Sequence, residues 1–150
     1  MLNVMQKVNY REMTIADYNA VIQLMKSTPG VTVRDADSLE ATERYFQRNP
    51  NLSFVAEKNQ KIIGCVMCGH DGRRGYLQHL IVEENERRNG IGTHLASKSI
   101  LTLKALGIQK IHIHVLKNND IANHYWTSKD WARRDDILVY SLNQSDSPNA

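Results

Sequence analysis

Apolar positions along the chain change period several times, and each change marks an element. Val8 to Met13 alternates weakly and predicts a first strand. Thr14 followed by Asp17 has the spacing of a helix cap, and Tyr18, Val21, Ile22 and Met25 then recur at helical intervals until Pro29-Gly30. Asp37 and Glu40 offer a second capping pair, with Leu39, Tyr45 and Phe46 as the apolar side of a helix ending at Asn49-Pro50. Leu52–Glu57 and Lys61–Gly69 predict a hairpin turning at Lys58-Asn59-Gln60, and Gly75–Val82 predicts another strand. Gly90 to Leu106 is helical in period, with Leu95, Ala96, Ser99, Leu103 and Leu106 on one side and Gly107 placed to end it. Ile111–Val115 alternates as a strand, Asn119 opens a short helix, and Ile137–Leu142 closes the chain as a strand. The resulting order, β-α-α-β-β-β-α-β-α-β, is that of an α/β protein in which helices pack on a central mixed sheet.

Composition narrows the class without naming a function. A chain of 150 residues, 41% hydrophobic and 23% charged, suits one globular domain over 1–150, with a polar, frayed tail from Asn143 to Ala150. No apolar run approaches the ~20 residues of a membrane span, and Met1–Lys7 lacks the apolar centre of a secretory signal. The cytoplasm is the expected compartment. A net charge of +3 fits a small anionic ligand, but the basic pairs Arg73-Arg74, Arg87-Arg88 and Arg133-Arg134 lie too far apart to suggest nucleic acid.

Two patterns invite metal or redox chemistry. Cys65 and Cys68 fall inside a strand, where residues three apart point to opposite faces, so structural cysteines are expected over zinc or a disulfide. His112 and His114 share one strand face, yet no carboxylate or third histidine stands beside them in the sequence; half-exposed strand residues are the expectation, and no metal. His70-Asp71-Gly72-Arg73-Arg74 reads as a turn, with a contact to an acidic acceptor as its alternative.

The segment after Val82 carries the strongest chemical signal. A strand leads through Glu83-Glu84-Asn85-Glu86 into Arg87-Arg88-Asn89-Gly90-Ile91-Gly92-Thr93 and directly into a helix. The first helical turn has unpaired amide N–H groups and partial positive charge from the helix dipole. Glycine lets backbone approach a diphosphate, and two arginines add full charges. A lone Gly-x-Gly is weak, but an upstream arginine, a preceding strand and a following amphipathic helix sharpen it. The absence of Gly-Lys-Ser/Thr and of a third glycine excludes a P-loop and a dinucleotide fingerprint. A basic, glycine-containing helix start with no ligand is the bland alternative.

Arg87-x-x-Gly90-x-Gly92 resembles the Gln/Arg-x-x-Gly-x-Gly/Ala signature of the GNAT superfamily of acetyl-CoA-dependent N-acetyltransferases. Leu80-Ile81-Val82 is similar to the strand end this family places five residues before its arginine. Val115 and Asn119-Asp-Ile-Ala122 are similar to the segment after its fifth strand, and the element order agrees over roughly residues 7 to 142. The resemblance implies a GNAT-like acyl-CoA N-acyltransferase fold and acetyl-CoA as cosubstrate. Backbone groups of Leu80, Ile81 and Val82 would pair with the pantetheine arm where strands four and five splay. Amides from Arg88, Asn89, Gly90, Ile91, Gly92 and Thr93 would hold the pyrophosphate, and Asn119 would reach the pantetheine.

The chemistry of such a transfer requires an amine that has lost a proton, donors for an oxyanion, and an acid for the departing thiolate. The resemblance implies direct transfer to a primary amine of a small molecule or peptide. The family's usual tyrosine position is Trp126, which cannot give up a proton at neutral pH, so Tyr125 becomes the candidate acid while Trp126 and Trp131 are expected in a core or cleft wall. The family's base positions are Gln78 and Tyr76, neither a good base; His79 has the chemistry, although strict alternation turns it to the other face. Arg34, Asp35, Asp37 and Glu40 fall near the expected acceptor pocket, and the three acids suggest a cationic acceptor such as a polyamine, aminoglycoside or lysine side chain. Alternatives are a non-catalytic acyl-CoA-binding module or a different acyl donor, such as succinyl-CoA. A homodimer is left open.

Overall fold

The computed structural model describes residues 7–150, so the N-terminal reading of Met1–Lys7 falls outside the described residues for all but Lys7. The chain divides into two compact units, one ending at Ile113 and one running from His114 to Ala150.

The first unit holds a five-stranded sheet: β1 (Asn9–Glu12), β2 (Phe54–Lys58), β3 (Lys61–His70), β4 (Gly75–Val82) and β5 (Ile111–Ile113). Strands follow one another across the sheet in chain order, antiparallel except for the parallel β4–β5 pair. Both residues of the β2–β3 turn, Asn59 and Gln60, have positive φ, which gives the tight two-residue turn that suits strand twist.

Helices cover both faces. A 3-10 turn at Ile15–Asp17 leads into α1 (Tyr18–Lys26), and α2 spans Leu39–Arg48. They bury Val21, Ile22, Leu24 and Met25, with Tyr45 and Phe46, against Val55, Cys65, Met67 and Ile81 of the sheet and Met13 just after β1. α3 (Ile91–Ala105) lies on the opposite face, over β2, β3 and β4, and buries Leu95, Ala96, Ser99 and Leu103. Gly75 lies under α3, where a Cβ would stand 2.6 Å from Leu103.

Several local expectations are corrected. The Asp37–Glu40 cap does not form: Ser38 caps α2 by accepting from Ala41 N–H, while Asp37 accepts from Arg34 N–H at 2.8 Å and closes a separate 3-10 turn, Asp35–Asp37. The earlier cap does form, Thr14 N–H donating to Asp17 at 2.9 Å. Leu106 was assigned to the apolar side of α3 but follows its last turn and is exposed.

The two cysteines are free and buried, and they face opposite sides of the sheet: Cys65 joins the α1 core, and Cys68 lies against Ser99 of α3. Burial pushes both thiols up to about 12. The β3–β4 connection is a turn, in which Asp71 accepts from the N–H groups of Arg73 and Arg74 and His70 accepts from Gly72 N–H. No group of three His, Cys, Asp or Glu side chains is placed to hold a metal among the described residues.

The second unit contains α4 (Asp120–Ser128), capped by Asn119, whose side chain accepts from Ala122 N–H. Trp126 is buried against Trp131, ring centroids 4.6 Å apart, with Tyr125 edge-on at 5.1 Å. The closing strand at Ile137–Leu142 is absent: these residues are irregular, exposed and not part of the sheet. Alternation makes a segment compatible with a strand, but a strand exists only where a partner completes its hydrogen bonds. No helix among the described residues is long and apolar enough to cross a membrane.

Candidate active site

Two departures from regularity shape β4. Its parallel ladder with β5 covers only Gly75, Tyr76 and Leu77, so Gln78 to Val82 have no β5 partner on that edge. On the other edge, Met67 pairs with Gln78 but Cys65 pairs with Ile81, so Val66 opposes both His79 and Leu80. This is a β-bulge, and His79 sits in it with φ of +47°. Leu80, Ile81 and Val82 thus follow the bulge on a stretch of strand whose β5-side groups lack a ladder.

The bulge also corrects the facing of His79. Simple alternation from Gln78 would send its side chain toward α3, but the extra residue turns it toward α2. There Nε2 lies 2.9 Å from Asp37 Oδ1. Asp37 is nearly buried and fixed on all sides: Oδ2 accepts from Arg34 N–H, and its carbonyl accepts from the Tyr18 hydroxyl at 2.6 Å. Burial would raise the Asp37 carboxyl, but hydrogen bonds from His79 and the Arg34 amide outweigh it and hold it below the usual value. Gln78, on one of the family's base positions, is exposed. Sequence reasoning missed the Asp37–His79 contact because 42 residues separate the partners and the bulge that joins them leaves no mark in the local pattern.

Beyond β4, a 3-10 turn at Glu84–Glu86 carries the chain into the arginine-glycine loop. Two acids of this segment are engaged by the hairpin lysines, Lys61 with Glu83 at 2.9 Å and Lys58 with Glu86 at 3.2 Å, which reduces their repulsion of an incoming anion. Arg87 Nε donates to Val82 O at 3.0 Å, and Asn89 donates to Glu86 O at 3.2 Å, so the loop is braced by its own side chains. A carbonyl has two lone pairs, so Val82 O can still accept a second bond. Arg88 and Gly90 both adopt left-handed φ, +67° and +75°, and such alternation points successive N–H groups toward one concavity. Gly90 is the N-cap of α3 and supplies no side chain to cap the first turn of the helix. The helix start therefore presents donors and dipole toward an anion.

Two candidates fall in the second unit. Asn119 spends its side-chain oxygen on the α4 cap, leaving its NH2 group as the part able to reach a ligand. Tyr125 is half-buried, whereas Trp126, on the position expected for a tyrosine, serves the aromatic core.

A bulged strand, without a β5 partner over its second half, thus runs through an arginine-glycine turn into a helix start with no side-chain cap. The profile of the acetyltransferase (GNAT) family matches residues 18–129, and the chain belongs to that family; its enzyme class is acyltransferase. An acetyltransferase of Pectobacterium atrosepticum is 36% identical over 104 residues, 69% of this chain and 73% of the relative. Solved folds agree. An N-acetyltransferase of Thermoplasma acidophilum in complex with coenzyme A superposes with a TM-score of 0.73 at 16% identity, over 82% of this chain and 88% of that one. An aminoglycoside N-acetyltransferase in complex with CoA does so with a TM-score of 0.75 at 15% identity, over 95% and 99%.

Proposed function

We propose that this protein transfers the acetyl group of acetyl-CoA directly to a primary amine. The observation that carries the reading is the continuity of the half of β4 that has no β5 partner with a start of α3 that has no side-chain cap. The first supplies backbone groups for an amide-containing arm and the second a cradle for a diphosphate, at the two ends of one short segment. In this reading Leu80, Ile81 and Val82 pair with the pantetheine, Arg87 braces the loop, and the amides of Arg88 to Thr93 hold the pyrophosphate. Asn119 contributes its amide group to the pantetheine.

His79 takes one proton from the neutral amine as its nitrogen attacks the thioester carbon. The C–S bond breaks, and Tyr125 gives its proton to the departing thiolate, a role an indole cannot fill. The acids Asp35 and Glu40 near α2 favour an acceptor bearing further positive charge, in the class of polyamines, aminoglycosides or lysine side chains.

Thiol release from acetyl-CoA, measured against spermidine, kanamycin and a lysine peptide, tests the reading. Acceleration by at least one amine, lost about tenfold or more in Tyr125→Phe with acetyl-CoA affinity unchanged, is expected. Tight acetyl-CoA binding with no amine-dependent release would instead favour a binding module. Stronger release from succinyl-CoA than from acetyl-CoA would reassign the donor.

A further inference from the structure

We infer that Asp37 is a positioning residue that orients His79 as the general base through the contact between Asp37 Oδ1 and His79 Nε2. The inference rests on the acetyltransferase reading and deepens it at the acceptor side.

Three observations point the same way. The first is the bond itself, 2.9 Å long and joining a 3-10 turn to a strand bulge 42 residues away. The Asp37 carboxyl is held below its usual value and so is ionised at neutral pH, where it can only accept. Nε2 must therefore carry a hydrogen, so in the neutral form of the ring the lone pair lies on Nδ1. The carboxylate thereby selects the tautomer, as orienting acids do beside catalytic histidines elsewhere.

The second is how firmly Asp37 is anchored. Its other oxygen is taken by Arg34 N–H and its carbonyl by the Tyr18 hydroxyl, so the carboxylate has little freedom to rotate away from the ring. A side chain needed only to close the 3-10 turn would require one oxygen, and Asp37 directs the second at a histidine.

The third is the backbone of His79. A φ of +47° is unfavourable for a residue with a Cβ, and glycine would accept it freely. The fold instead sets an imidazole there, immediately before Leu80, where β4 runs on without β5. Cys65 Sγ donates to the His79 carbonyl at 3.3 Å and helps hold the bulge.

The proton balance is simple. Nδ1 takes one proton from the amine as the N–C bond forms, and the imidazolium is stabilised by the carboxylate on its far side. The C–S bond breaks, Tyr125 protonates the thiolate and regains a proton from solvent, and the proton on Nδ1 passes to solvent when products leave.

A double-mutant cycle tests the coupling. His79→Asn removes the base while keeping a residue type that tolerates left-handed φ, and Asp37→Asn removes the charge while keeping the shape. With whichever of spermidine, kanamycin or the lysine peptide supports turnover, His79→Asn is expected to lower kcat about 100-fold or more, and Asp37→Asn about tenfold, with the acetyl-CoA KM unchanged in both. The double variant should then match His79→Asn alone. If Asp37→Asn lowers kcat by the same factor in both backgrounds, the carboxylate acts only on structure and the inference is overturned. Nitrogen-15 spectra of the imidazole supply a readout that needs no turnover: the Nε2–H tautomer is expected in the unaltered protein, and an Nδ1–H tautomer would overturn it. Amine-dependent release that persists undiminished in His79→Asn defeats this inference alone. Absence of such release from the unaltered protein defeats the underlying reading and the inference with it.

Discussion

At the scale of single residues, the side chains that matter most do two jobs at once. Asp37 closes a turn and holds a ring; Asn119 caps a helix with the oxygen of an amide whose nitrogen is the group left for a ligand. Tyr45 is the opposite case. Its ring packs with the α1 core, but its hydroxyl is buried with no hydrogen-bond partner among the described residues, close to Gly69. Burial also pushes its pKa up, because the phenolate would be stranded there. An unsatisfied hydroxyl costs about 1–3 kcal/mol, so Tyr45→Phe should be neutral or stabilising by about 1 kcal/mol, raising Tm by a few degrees. A clear fall in Tm on calorimetry would show that the hydroxyl has found a partner. Residue identities for the arginine-glycine loop and for Tyr125 beside Trp126 were readable from the chain. The Asp37–His79 bond was not, because pairing across 42 residues depends on where a bulge places one of the partners.

Elements were legible wherever their signals were local. The hairpin, β4 and α3 were foreseen almost to the residue, since turn glycines, alternation and helical spacing are all written within a few positions. Two features were not. The bulge in β4 inserts one residue without altering the hydrophobic run, and it reverses the facing expected for His79. The second is the choice between Asp37 and Ser38 as cap of α2, where neighbouring residues offer equivalent chemistry and the path of the incoming chain decides. At the start of α3 the role proposed for the loop falls to the backbone itself, which makes Gly90 a clean test. A Cβ there would meet nothing within 4 Å, so substitution acts through φ alone. Gly90→Val should cost about 1–2 kcal/mol in the left-handed conformation and weaken CoA binding about tenfold by turning the Ile91 and Gly92 amides away. Gly90→Asn, better tolerated at positive φ, should fall between Val and the native residue. Calorimetric titration with CoA reads both; equal affinity in all three proteins would remove the loop from the binding site.

For the whole molecule, regular structure is distributed unevenly between its two units. The first buries apolar residues against both faces of a sheet, whereas the second has one short helix and a small aromatic cluster around Trp126 and Trp131. After that cluster, Arg133 and Arg134 pair with Asp135 and Asp136 only two residues away, contacts that tie the chain to itself locally. Ile137, Leu138, Val139, Tyr140 and Leu142 then follow, exposed by between 52% and 88%. Five large apolar side chains in six residues, with their backbone groups outside any ladder, are costly to leave in water and able to pair with an open strand edge. The structure of one chain therefore makes a sharp statement about hydrogen exchange. Amides from Ile137 to Leu142 lack strand hydrogen bonds and should exchange at the earliest time measured, while those in the body of α4 exchange more slowly and those of β3 are slowest. Mass spectrometry of peptides covering the three segments distinguishes them. Slow exchange at Ile137–Leu142 would overturn the irregular assignment and restore the strand that alternation suggests. Protection that grows with protein concentration would place its partner in a second copy of the chain, because an internal ladder gives the same protection at any dilution.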